Sequence, residues 1–202
     1  MTFSVEPLFP IPIGFSKLES GLKPKEKDYI LNLEKAPNTA NLTSKDRYLN
    51  KHKILKNFTE FCSNSLNYYF KELYQPKYDV NLRITQMWAN YSQKGEWHHV
   101  HEHPNSFISA VFYVNCEDNL DNITFIKKGY QQLQIYSENF NQYNCQDWIF
   151  PVKENLLIIF PSSLTHKVEP VQSNKTRISI SMNTFPVGVL GDNLNCTECV
   201  LK

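Results

Sequence analysis

The stretch Thr176-Arg-Ile-Ser-Ile-Ser-Met-Asn183 decides how this chain must fold. Arg177, Ser179, Ser181 and Asn183 alternate with Ile178, Ile180 and Met182. A period of two belongs to a strand, with one polar and one apolar face. The apolar face calls for a core. The polar face begins with a guanidinium and suits the wall of a cavity, as in the mouth of a barrel. Upstream, Val80–Tyr91 and Phe107–Asn115 (FISAVFYVN) read as two further strands, followed by Asn122–Ile126, Leu156–Phe160 and Thr165–Glu169. Many short strands with turn residues between them point to an antiparallel sandwich or barrel.

Before Pro76 the pattern is different. Leu55, Phe58, Cys62, Leu66, Tyr69, Phe70 and Leu73 recur at three and four over residues 54–74, which predicts one helix with an apolar stripe. Cys62 inside that stripe reads as a small buried hydrophobe. Lys25–Lys35 predicts a shorter helix, and residues 1–20 read as extended and broken by Pro7, Pro10 and Pro12. The fold class is therefore α+β and mainly β. A single domain is expected over 1–202, with helical support over about 1–78, a β core over about 79–186 and a tail over 187–202. At 202 residues the chain holds one sizeable core.

Net charge is +1 and the lysines are scattered, so nucleic acid is not an expected partner. The longest apolar run, Leu156–Phe160, is too short to cross a bilayer, and the start of the chain does not read as a signal peptide. A cytoplasmic location is expected. The apolar segment Phe9–Phe15 offers a surface for a homodimer. Five cysteines at irregular spacing are not a disulfide framework, and Cys196-Thr-Glu-Cys199 reads as a frayed tail. The aromatic-rich segment Lys127–Pro151, with Tyr130, Tyr136, Phe140, Tyr143 and Trp148, suits either a lid over a site or a loop packed on the sheet.

Four of the six histidines fall within His98-His-Val-His-Glu-His103. On an extended segment His99, His101 and His103 share one face and His98 takes the other. Pro104 ends strand pairing, so His101 and His103 stand where a strand gives way to a loop. His99 with His101 is the competing pair. His166, carried by Phe160-Pro-Ser-Ser-Leu-Thr-His166, comes from a distant strand and would complete a three-nitrogen face for a divalent metal. Arg177 would grip a carboxylate beside that metal.

The order HxH, His, Arg-x-Ser resembles the 2-oxoglutarate/iron(II)-dependent oxygenase superfamily. More narrowly it is similar to an HxH group found in phages and marine bacteria. The matching stretches are Trp88-Ala-Asn-Tyr91, His101–Ser106, Ser109–Val114, Phe160–His166 and Arg177–Ser181. The resemblance implies a double-stranded β-helix, a cupin-like jelly roll with its site in the mouth. It implies iron(II) on His101, His103 and His166, and 2-oxoglutarate on Arg177 with Ser179 beside it. Tyr91 and Tyr113 would share that cosubstrate, with Asn90 and Trp88 on the same wall. The implied reaction is oxidation of a C–H bond coupled to decarboxylation of 2-oxoglutarate, on a small molecule or a protein side chain. His103 departs from the superfamily's usual Asp or Glu, which adds one positive charge to the site. Two alternatives follow from that departure: a three-His dioxygenase of cupin type that uses no 2-oxoglutarate, and a non-catalytic jelly-roll binding module.

Overall fold

The helical period before Pro76 produces one long helix, α2 (Lys56–Tyr74), after the short α1 (Pro24–Leu31). The computed structural model describes residues 1–129, 133 and 135–202. Pro24 opens α1, and the backbone N–H of Lys23 donates to the Glu26 carboxylate at 2.7 Å, which occupies an otherwise orphaned donor. α2 stops where Gln75 turns left-handed (φ 43°) and Pro76 forbids continuation. Phe58, Cys62, Leu66, Tyr69 and Phe70 form the buried stripe of α2. Burial of each large apolar chain contributes about 1.5–3 kcal/mol.

Among the described residues twelve strands form two antiparallel sheets. They are β1 (Gly14–Lys17), β2 (Lys35–Pro37), β3 (Leu42–Ser44), β4 (Val80–Ser92), β5 (His98–His101), β6 (Ile108–Asn115), β7 (Asn122–Ile126), β8 (Asp147–Pro151), β9 (Leu156–Pro161), β10 (His166–Val168), β11 (Arg177–Leu190) and β12 (Cys199–Leu201). The larger sheet runs β1-β9-β6-β11-β4-β3-β2, with β12 added to β11, and the smaller runs β5-β10-β7-β8. The expected jelly roll is present.

The two faces of β11 divide as the alternation requires. Ile178, Ile180 and Met182 join Phe112, Ala110, Ala89, Met87, Leu157 and Ile159 in a core beneath α2. The opposite face of the large sheet supplies Val111, Tyr113, Ile158 and Phe160. These meet Ile123 and Phe125 of β7 in a second core between the sheets. The polar residues of β11 therefore point toward the space between the sheets.

Three boundaries differ from the sequence reading. Residues 1–78 carry β1, β2 and β3 as well as helices. β1 closes the free edge of β9, and β3 that of β4. These strands are too short for a periodic signal. β11 runs on to Leu190 and its end pairs with β12, so Cys199 lies in a strand rather than a frayed tail. Gly188 permits this run, because a Cβ there would sit 2.1 Å from the Asp79 carbonyl oxygen. Third, β8 lies within the irregular segment 127–151 and pairs with β7. Tyr130 falls outside the described residues. Tyr136, Phe140 and Tyr143 are exposed rather than packed on the sheet. No helix is long and apolar enough to cross a membrane among the described residues.

Candidate metal and cosubstrate site

His101 ends β5, His103 follows in the loop, and His166 begins β10 directly opposite His101. The His103 backbone N–H donates to the Ser162 carbonyl at 3.0 Å, which ties the loop to the turn that delivers His166. His103 and His166 are buried, and His101 is half-buried. One ring nitrogen from each lies within 4.8 Å of the others.

The partners of the remaining ring nitrogens settle which atoms face inward. Nδ1 of His101 meets the His99 carbonyl at 2.8 Å, Nδ1 of His166 meets the Leu164 carbonyl at 3.0 Å, and Nδ1 of His103 meets Asn183 Oδ1 at 2.6 Å. Each of these oxygens only accepts, so each Nδ1 carries the proton and each Nε2 keeps a free lone pair. Nε2 of His101 and of His103 are 3.2 Å apart. With both protons on Nδ1 that separation joins two lone pairs, and a cation relieves it. Metal–imidazole distances of about 2.0–2.1 Å at tetrahedral or right angles give N···N separations in this range.

Burial disfavours the charged form of these rings. It pushes His103 from the usual 6.5 down to about 4, and burial followed by the neighbouring His101 takes His166 down to about 2. Burial also lowers His101, against an opposing pull from its hydrogen bond to His99. Neutral rings at pH 7 are the form that ligates. The unfolded chain takes up protons near 6.5, and the folded one does so only at lower pH. Stability of the metal-free protein is therefore full above 6.5 and declines as pH falls from there through about 4. Urea midpoints between pH 7.5 and 4.5 are expected to fall, and to fall less steeply in His103→Gln; a flat profile would contradict the burial of neutral rings.

His98 lies elsewhere than the period-two rule places it. Its ring centroid is 4.6 Å from that of His101. The pairing of β5 with β10 slips between His166 and Val168, so His98 turns toward His101 instead of away. Burial, then His101, His99, His103 and Arg177, lower its pKa to about 3. His98, His99 and His101 also bring ring nitrogens within 4.8 Å of one another, without His166.

Arg177 starts β11, with Ser179 and Ser181 between it and Asn183 on the same face. It is buried, and its Nη1 donates to Asp121 Oδ1 at 3.2 Å and to the Glu169 carbonyl at 3.3 Å. The other oxygen of Asp121 accepts the Glu117 backbone N–H at 2.8 Å. Nothing in the sequence marks Asp121, which sits in the turn before β7. Asn90 donates to Ser181 Oγ at 3.0 Å, and its buried Oδ1 has no partner among the described residues. The Tyr113 hydroxyl is likewise buried and unpaired. Trp88 stands on the same wall, its ring centroid 6.0 Å from that of His103. A buried cation and the Tyr113 hydroxyl donor suit a small carboxylate ligand, while Asn90 Oδ1 accepts and calls for a donor.

Tyr91 is a correction. It faces the helices, within the core under α2, and its hydroxyl donates to the Ile30 carbonyl. Asn90 and Tyr91 are neighbours on one strand, so only one of them can face the cavity. Of the two tyrosines expected at the cosubstrate, only Tyr113 has the right face.

Residues 86–183 match the model of a family described as "Putative 2OG-Fe(II) oxygenase". That segment, just under half of the chain, contains all three candidate ligands and Arg177, and it is similar to the 2OG-Fe(II) oxygenases. Three solved structures share the fold. An oxidoreductase of the 2OG-Fe(II) oxygenase family from Burkholderia pseudomallei is 12% identical, with a TM-score of 0.59, over 85% of this chain and 83% of that one. HygX from Streptomyces hygroscopicus, solved with nickel, 2-oxoglutarate and hygromycin B, is 9% identical with a TM-score of 0.59 over 86% and 82%. The epimerase SnoN, solved with Fe3+, alpha ketoglutarate and nogalamycin RO, is 8% identical with a TM-score of 0.59 over 88% and 81%. No curated protein matches the chain.

Proposed function

We propose that this oxygenase holds iron(II) on His101, His103 and His166 and anchors 2-oxoglutarate on Arg177. The observation that carries the reading is the set of three imidazoles whose Nδ1 atoms are pinned and whose Nε2 lone pairs converge. Iron(II), when bound, would supply the oxidative chemistry with dioxygen as the oxidant, one oxygen atom entering succinate as 2-oxoglutarate loses CO2 and the other serving to oxidise the substrate C–H bond. The chain binds, orients and excludes water. Arg177 offers guanidinium N–H donors to the distal carboxylate and the Tyr113 hydroxyl donates to the ligand, while Asn90 Oδ1, an acceptor, is left for a donor on the substrate. Val111, Ile158 and Phe160 keep the inner wall dry. His103 in place of a carboxylate agrees with the narrower HxH group. Nothing on the site's wall selects one substrate, and a small molecule fits the reading best because HygX and SnoN were solved with such ligands.

Anaerobic titration of the iron(II)-loaded protein with 2-oxoglutarate tests this. A saturable visible charge-transfer band is expected. Iron bound with no band would transfer the assignment to a three-His dioxygenase that uses no 2-oxoglutarate. No iron at all would leave a binding module.

The two tyrosines give a crossed test. Tyr91→Phe removes a buried hydrogen bond and should cost about 0.5–1.5 kcal/mol of stability while leaving 2-oxoglutarate affinity alone. Tyr113→Phe removes a hydroxyl with no partner among the described residues, so stability should hold while affinity drops. Unfolding curves and the titration, run on both variants, read the two effects; the reverse pattern would return Tyr91 to the site.

A further inference from the structure

Behind His103 lies a polar cluster that the reaction does not use. Asn183 Oδ1 accepts from His103 Nδ1 at 2.6 Å and also from Ser109 Oγ at 3.2 Å. Ser109 is linked to Ser162 at 2.7 Å, and Ser162 donates to Ser106 at 2.8 Å. Ser106 in turn accepts the Thr184 backbone N–H at 3.1 Å. Ser109 and Ser162 are almost wholly buried. The cluster joins β6, the turn after β9, β11 and the histidine loop at one point.

The backbone is shaped to aim Asn183 there. Asn183 pairs with Gln86 but Thr184 pairs with Ile84, so Thr85 is an extra residue in β4. The Thr85 hydroxyl donates to the Asn183 carbonyl at 3.1 Å, which holds the bulge. Bulges beside active sites commonly re-aim a side chain.

Consider the amide turned the other way. Its NH2 would face His103 Nδ1, which would then have to accept, and the ring proton would move to Nε2. A protonated Nε2 cannot ligate. A carboxylate in the second-ligand position has no such problem, because neither oxygen needs a tautomer. A histidine there does need one.

We propose that Asn183 is the positioning residue for His103. By accepting from Nδ1 it fixes the tautomer and the ring plane that turn a histidine into the third metal ligand. The proposal rests on the three-His reading above. Because Asn183 is neutral, it sets the tautomer without adding negative charge to the site.

The test uses cobalt(II) alone as a spectroscopic probe, on the full chain without cosubstrate. Asn183→Leu is expected to weaken cobalt(II) binding by about 10–100-fold and to change the visible ligand-field spectrum as His103 leaves the metal. Asn183→Asp keeps an acceptor, adds charge and should bind cobalt(II) at least as tightly as the wild type with the wild-type spectral pattern. Rescue by Asp separates positioning from simple packing. Wild-type binding with Asn183→Leu unchanged would overturn this inference and leave the three-His reading standing. A wild type that binds no cobalt(II) would overturn both. Should Asn183→Leu fail to fold, Asn183→Asp alone decides, and weaker binding in it overturns the role.

Discussion

His166→Ala is expected to be folded and to hold no stoichiometric iron(II). His166 supplies the only nitrogen of the three-His face that comes from β10; the other two come from one short stretch ending in the loop after β5. Without it, two lone pairs 3.2 Å apart remain, and a two-nitrogen chelate with water in every other position binds weakly. A loss of at least about 100-fold in iron affinity is expected, larger than the usual effect of removing a residue that only supports a ligand. The fold should survive, because the ring sits against Phe125 and Phe160, which also pack on one another, and because a depressed imidazole is removed with it. His103→Ala should behave alike, and His99→Ala should keep its iron. Iron retained in His166→Ala but lost in His99→Ala would move the metal to the His98, His99 and His101 set. Colorimetric iron counts on desalted protein, with circular dichroism as the check on folding, read every case.

The reach of the sequence is clearest on β11 and β4. Strict alternation over residues 177–183 marks both faces of a strand, and the structure sends Ile178, Ile180 and Met182 to the helices as the pattern requires. The same logic corrects Tyr91: the resemblance implies a cosubstrate role, but the parity of β4 assigns the inward face to Asn90. It fails at His98 because a slip in pairing is a property of two strands, not of one. Asn183 was legible as a residue of the polar face, but its bond to His103 depends on an extra residue in the facing strand. Asp121 gives no sequence signal at all: it matters only through Arg177, 56 residues away in the chain. Short pairing strands such as β1, β3 and β12 are set by the edges they cover, so their own residues say little.

Arg177 has two partners to serve, and a pair of variants separates them. In the protein as it stands the guanidinium is bound to Asp121, with both groups buried. Arg177→Met would leave the Asp121 carboxylate without its counter-ion, and removing one partner of a buried pair costs about 3–5 kcal/mol. Lost 2-oxoglutarate binding in that variant alone would therefore be ambiguous between a missing anchor and a loosened barrel. Asp121→Asn with Arg177→Met removes both charges, and the Asn side-chain oxygen can still accept the Glu117 N–H. Replacing both members of a buried pair is often neutral, so most of the lost stability should return in urea unfolding. Affinity for 2-oxoglutarate should not return. A charge-assisted hydrogen bond contributes about 1.5–3 kcal/mol, so a deficit of roughly 10–150-fold is expected in both variants. Asp121→Asn by itself should bind the cosubstrate at least as tightly as the wild type, because it takes away a carboxylate that competes for the same guanidinium. If affinity recovers together with stability in the double variant, Arg177 serves only as the counter-ion of Asp121, and the cosubstrate's distal carboxylate must be held elsewhere on the wall.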